Sequence, residues 1–291
     1  MTSGGRPTVR GRRLGSALRR YRESKRLDLK HAGEAVGCST SKISRLESGL
    51  SPARVGDVRI LLDLYEIEDP ERRSALERLA RQSSKQGWWV DYRTSITNEF
   101  ADLVTLEADA SVIRTWQPVR IPGILQTPDC TRALLAATPA VITDDEIEAV
   151  VRIRQERRRV IAEAGTPFAA VIWEPALASP MPTHSAHVEQ LKQIAAVARE
   201  ESVMVQVLPA AEWAIARIAG HFVTFAFSSE SDPEVAAIDG LNNTLIIENS
   251  DEVALYARAF GILQSAALSP TDSADCLRSL IDRVSQGGEK A

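Results

Sequence analysis

The run STSKISRLESG, residues 39–49, begins with a serine suited to cap a helix N-terminus and ends on a glycine that stops one. Ile43 and Leu46 fall three apart, so one face of a short helix turns inward. Thr40, Ser41, Lys42, Ser44 and Arg45 are left on the outer faces, short hydroxyls and long cations of the kind that meet base edges and phosphates in a major groove. The N-terminal end of such a helix comes closest to the bases. Thr40, Ser41 and Arg45 are therefore expected to read bases, with Lys42 and Ser44 at the margin. Taken singly, each is as easily a solvated helix residue; the group is what points to duplex DNA.

Just upstream, residues 30–36 (KHAGEAV) read as a short helix ended by Gly37, where a left-handed residue is wanted. Gly33 sits inside that helix at a cost of about 1 kcal/mol relative to alanine, which is understandable if a second helix crosses too closely for a larger side chain. Short helix, glycine turn and second helix form the helix-turn-helix layout. Leu14, Leu18 and Tyr21 recur at helical spacing among Arg12, Arg13, Arg19, Arg20 and Arg22, giving an amphipathic first helix. Residues 1–11 lack periodicity and read as a flexible basic arm, either a frayed terminus or a phosphate contact. Beyond Arg54 a helix from about residue 55 carries Val58, Leu61, Leu62 and Tyr65 and completes an all-α head over residues 12–68. Arg19, Arg20, Lys30 and Arg54 join the expected DNA contacts.

The charge distribution agrees. Residues 1–60 hold 14 Lys/Arg against 5 Asp/Glu, a balance of +9, while the rest of the 291-residue chain holds 21 against 34, or -13. A basic head gains affinity by releasing counterions from phosphates, and an acidic body limits indiscriminate sticking. Cys38, Cys130 and Cys276 lie far apart and form no metal or disulfide spacing, which fits a reducing cytoplasm. No apolar run reaches the ~20 residues of a membrane span, and no signal peptide is visible.

Residues 14–67 resemble the Cro/repressor-type helix-turn-helix family known as XRE, through the SKISRLESG core with Ile43, Leu46, Glu47 and Gly49. The resemblance implies that Arg22 of the first helix pairs with Glu47, a structural lock between two helices. Gly33 departs from the alanine usual there.

Residues 69–87 read as a charged linker helix and hinge, with Leu76 and Leu79 as its apolar positions. Trp88 and Trp89 open a body over residues 88–285, as core anchors rather than ligand-stacking rings. Thr127 and Pro128 start one helix, and residues 144–164 form a long one, acidic first and arginine-rich later. Its Arg152, Arg154, Arg157, Arg158 and Arg159 read as a solvated face with local ion pairs, or else as contacts to DNA or an acidic partner. Strands at 111–116, 168–173, 203–208, 222–227, 235–239 and 244–248 alternate with helices, giving an α+β domain with a mostly antiparallel sheet. Two amphipathic helices, 251–267 and 273–284, precede a disordered tail at 286–291.

The body, through LEADASVIRTWQPVRIPGILQTPDCTRALL (106–135) and FGILQSAALSPTDSADCLRSL (260–280), resembles actinobacterial regulators of the WhiJ-like, antitoxin-like kind. That resemblance implies a small partner protein, encoded by a neighbouring gene, that binds the body and alters repression. The expected function is a DNA-binding repressor, acting as a homodimer and modulated by such a partner. The alternative is a small-ligand sensor with an apolar pocket lined by residues such as Trp116 and Trp173. A deep closed cavity would favour the ligand, and an exposed apolar groove rimmed by charges the protein partner. His184 and His187 lack further ligands for a metal site, and no nucleophile elbow, P-loop or dinucleotide fingerprint is present. Neither cofactor nor catalysis is expected.

Overall fold

The computed structural model describes residues 7–83, 87–92, 96–138, 143–227, 234–240 and 244–287. The chain divides into two compact units, one running to Val90 together with the short stretch Ala226–Glu234, the other comprising Asp91–Phe225 and Val235–Ala291.

The first unit is helical: α1 (Val9–Ser24), α2 (Leu29–Val36), α3 (Thr40–Glu47), α4 (Val55–Leu64) and α5 (Pro70–Gln82). Thr8 caps α1 by accepting from the Gly11 N–H at 3.1 Å, and Val9 is fully buried. Residues 9–11 are therefore helical rather than part of an arm, because a capping hydroxyl and a buried valine extend the helix; residues 1–6 of the expected arm lie outside the described residues. Leu14, Leu18, Ile43, Leu46, Leu61, Leu62 and Tyr65 form the core. Leu76, Leu79 and Ala80 of α5 pack into that same core, so the expected linker is the fifth helix of the head; Asp69 and Pro70 start it as a cap and a first-turn proline. Trp88 and Trp89, in a short 3-10 turn, meet edge to face at 6.1 Å and belong to this unit instead of opening the next.

The second unit is α+β, as the sequence leads one to expect. Its helices are α6 (Asn98–Asp109), α7 (Pro128–Ala136), α8 (Asp144–Glu163), α9 (Glu174–Ala178), α10 (His184–Val197), α11 (Ser250–Ala266) and α12 (Pro270–Gly287). Its strands are β1 (Val112–Gln117), β2 (Phe168–Trp173), β3 (Val203–Leu208), β4 (Phe222–Ala226), β5 (Val235–Asp239) and β6 (Thr244–Ile247), in the order β3-β2-β1-β4-β5-β6. The sheet is mixed. β1, β2 and β3 run parallel because helical crossovers separate them, whereas β4, β5 and β6 follow one another by short connections and pair antiparallel. Continuous apolar strands such as FAAVIW in β2 suit a parallel half covered on both faces.

Trp116 is fully buried beside Val171, Leu208, Phe222, Phe260 and Leu263, its indole N–H donating to the Ala219 carbonyl at 3.1 Å. Trp173 packs against the same cluster. Both tryptophans are thus core between sheet and α11 and neither lines the cavity of this unit; the Trp116 N–H is satisfied, whereas the Trp173 N–H is buried with no hydrogen-bond partner among the described residues. α12 continues to Gly287, so residues 286 and 287 are helical rather than tail; residues 288–291 are outside the described set.

Candidate nucleic-acid interface

Asp28 caps α2 by accepting from the Lys30 and His31 N–H groups at 2.8 and 2.9 Å, and Gly37 ends it at φ +71°. The Cys38 N–H then donates to the Gly33 carbonyl at 2.8 Å, folding the turn back on α2. A Cβ on Gly33 would lie 2.7 Å from the Cys38 carbonyl oxygen. The glycine is thus required by the backbone of the turn itself, where a crossing helix was expected. Ser39 caps α3, its hydroxyl accepting from the Lys42 N–H at 3.3 Å.

With Ile43 and Leu46 in the core, Thr40, Ser41, Ser44 and Arg45 are exposed on α3. Behind them Arg22 grips Glu47 in two parallel bonds: Nε donates to Oε1 at 2.7 Å and Nη2 to Oε2 at 2.9 Å, while Nη1 donates to the Leu27 carbonyl at 2.8 Å. Both side chains are buried. The bond to Glu47 raises the Arg22 pKa, outweighing the desolvation that would lower it. Burial, and then the Glu47 charge, push the nearby Tyr65 phenol well above its ordinary value. Its hydroxyl has no hydrogen-bond partner among the described residues.

The cations divide into tied and untied. Lys42 donates to Asp57 of α4 at 3.0 Å and is only half exposed, so α3 does not present it as freely as its neighbours. Arg19 pairs with Glu23 at 2.8 Å and Lys30 with Glu34 at 3.9 Å, both on the surface, where such pairs are weak. Arg20, Arg45 and Arg54 are exposed, and none has an ion-pair partner among the described residues. Two positions escaped the sequence reading. A Cβ on Gly15 of α1 would stand 2.4 Å from the Glu47 carbonyl oxygen, so this glycine sets how closely α1 crosses α3. Asp57, the anchor of Lys42, carries no signal in sequence, because its role depends on how α4 folds back beside α3.

In the second unit most of the α8 arginines are already engaged. Arg157 is buried and donates through Nε to Glu107 at 2.7 Å, Arg159 donates to Glu156 at 2.9 Å, Arg158 lies 3.8 Å from Glu200, and Arg154 bonds Gln126. Arg152 alone of the five has no such partner among the described residues. His187 is buried with its ring nitrogen 2.8 Å from the Leu177 carbonyl oxygen. No helix among the described residues is long and apolar enough to cross a membrane.

Comparison with known families matches a helix-turn-helix domain to residues 13–76. A domain of unknown function (DUF5753) matches residues 100–279. No curated protein and no solved structure matches the chain. Since the second family covers more than half of the sequence and the first coincides with the α1–α5 head, the chain belongs to the DUF5753 family and is a DNA-binding transcriptional regulator with a helix-turn-helix head.

Proposed function

We propose that the head binds a specific operator and represses transcription there, as a homodimer whose body receives a small partner protein. The observation that carries this reading is the outer face of α3: Thr40, Ser41, Ser44 and Arg45 project from a helix held on its other side by Ile43, Leu46 and the Arg22–Glu47 pair. In a major groove Thr40 and Ser41 lie nearest the bases, with Arg45 a turn further on able to grip a guanine edge. Arg20 and Arg54 meet phosphates. Arg19 and Lys30 exchange a weak surface carboxylate for phosphate, and Lys42 contributes when released from Asp57. Selection of bound fragments from genomic DNA, followed by anisotropy titration against scrambled duplex, tests this. Equal affinity for selected and scrambled DNA would reject it.

One head covers too few base pairs for tight operator choice, which supports a dimer reading a pseudo-palindrome with recognition helices about 34 Å apart. α11 offers a face for the second copy. Asp251, Leu255, Arg258 and Ile262 follow a four-three-four spacing along its outer side, and Leu255 and Ile262 are 57% and 51% exposed. Two such helices, antiparallel about an axis near Leu255, bring each Asp251 opposite the other copy's Arg258.

The resemblance to WhiJ-like, antitoxin-like regulators supports a partner protein from a neighbouring gene. Co-purification with the product of an adjacent short reading frame checks it. A second reading, a small-ligand sensor, is favoured by a half-open cavity of about 750 Å³ in the second unit. Catalysis has no part in either, and both place the protein in the cytoplasm.

A further inference from the structure

The cavity lies against the first residues of the three parallel strands, bounded by α10, α11 and α12. Its origin is side-chain size. The strand register sets Arg114, Ala169 and Met204 side by side across β1, β2 and β3, and Phe260 and Gln264 of α11 line the same space. Ala169, in the middle of that row, leaves a gap that a larger residue would fill. Ala198 and Ala274 do the same on the α10 and α12 sides. Small residues from three elements thus leave this volume open, Ala169 and Ala198 half-buried in it and Ala274 at its exposed edge.

Backbone polarity is a second, independent sign. β3 is an edge strand, and the Phe168 N–H donates to the Ser202 carbonyl at 2.8 Å. Even-numbered residues of β3 therefore bond to β2, and Val203, Val205 and Val207 turn their backbone groups outward. Val203 donates to the Glu200 carbonyl at 3.0 Å. Val207 donates to the Ser273 hydroxyl at 2.9 Å and accepts from the Leu268 N–H at 2.9 Å. Val205 lines the cavity, and its outward N–H and C=O meet no protein partner among the described residues. Backbone groups so placed are met by water or by a polar group of a ligand.

Charge narrows the class. Arg114, Arg199 and Arg278 line the space against one carboxylate, Glu201. Arg278 pairs with Asp275, whereas Arg199 is exposed and has no ion-pair partner among the described residues.

We infer that this cavity binds a small amphipathic anion, an apolar acyl or aryl body carrying one carboxylate, with its body over Ala169 and Phe260 and its charge met by Arg199. The inference rests on the ligand-sensing reading of the body and is independent of α3. Isothermal titration of the full chain with decanoate, decanol and decylamine tests it. Decanoate should bind one to one and at least tenfold more tightly than either analogue. Arg199→Glu should weaken decanoate about tenfold and strengthen decylamine. Ala169→Leu should abolish decanoate binding while leaving the thermal midpoint unchanged or raised; if that variant does not fold, Ala274→Leu, exposed on α12, is read in its place. Equal binding of the three probes, unaltered decanoate binding in the filled variant, or no binding of any probe overturns the inference. The titration contains no DNA, so its failure leaves operator binding standing, and failure of operator selection leaves this result untouched.

Discussion

Gly15 of α1 and Glu47 of α3 approach so closely that a Cβ on the glycine would stand 2.4 Å from the glutamate carbonyl oxygen, with the Leu46 carbonyl oxygen 2.6 Å away. Neither oxygen belongs to a flexible side chain, so the helices themselves would have to part. Gly15→Ala is expected to destabilise the head by about 1–3 kcal/mol, as overpacking does. Gly56→Ala is the control: nothing lies within 4 Å of its Cβ position in α4, and alanine there should stabilise by about 0.5–1 kcal/mol. Opposite shifts in urea midpoint check the pair; a neutral Gly15→Ala would show that α1 and α3 tolerate separation.

Much of this head was legible in sequence because its signals are local. A capping serine, the three-residue spacing of Ile43 and Leu46 and the left-handed Gly37 each act within a turn or two. Gly15 interrupts a helix just as Gly33 does, but only the crossing of α3 gives it meaning. The charges of α5 outnumber its apolar residues and read as a linker, yet Leu76, Leu79 and Ala80 are enough to seat it in the core. In the body the strands could be located from apolar runs, and β2, β3 and β5 fall on the expected residues. Which strands pair, and in which direction, depends on crossovers. The cavity depends further on Ala169 lying beside Arg114 and Met204, a relation that register alone creates.

Breaking the Arg22–Glu47 pair leaves a guanidinium buried without its carboxylate. Glu47→Ala should therefore cost about 3–5 kcal/mol, far more than loss of an exposed pair such as Arg19–Glu23. Replacing both partners with apolar residues, Arg22→Met with Glu47→Leu, should recover most of that stability. A double-mutant cycle of unfolding free energies measures the coupling, and additive losses would mean the pair is not a unit.

Stability and base reading separate at Arg45 and Arg20. Arg45→Ala should cost about 1–3 kcal/mol on the selected operator and little on random duplex, while Arg20→Ala should weaken both alike and reduce the salt slope by about one unit. Both side chains are exposed, so the melting temperature should not move in either variant. Equal losses on both DNAs for Arg45→Ala would remove it from the reading role.

Asp57 restrains Lys42 at 3.0 Å and sets a negative charge beside the outer face of α3. Asp57→Asn should release the lysine, raise affinity for random duplex and steepen its salt dependence by about one counterion. Lys42→Ala in that background should cancel the gain. An Asp57→Asn variant with unchanged affinity and slope would show that Lys42 stays off the phosphates.

The outer stripe of α11 makes the dimer testable without DNA. Leu255→Arg puts a charge where two copies would bury leucine, and should shift sedimentation from dimer toward monomer while leaving the monomer folded, since the residue is 57% exposed. Charge reversal is more discriminating. In the antiparallel arrangement Asp251 of one copy faces Arg258 of the other, so Arg258→Asp alone sets carboxylate against carboxylate and weakens association. Asp251→Arg combined with Arg258→Asp restores opposite charges across the axis and should restore the dimer. Salt should diminish both effects, because exposed pairs are screened within about 8–10 Å at moderate ionic strength. A wild-type chain that sediments as a monomer at every concentration, or a double reversal no better than the single one, would place the dimer contact elsewhere or dispense with it.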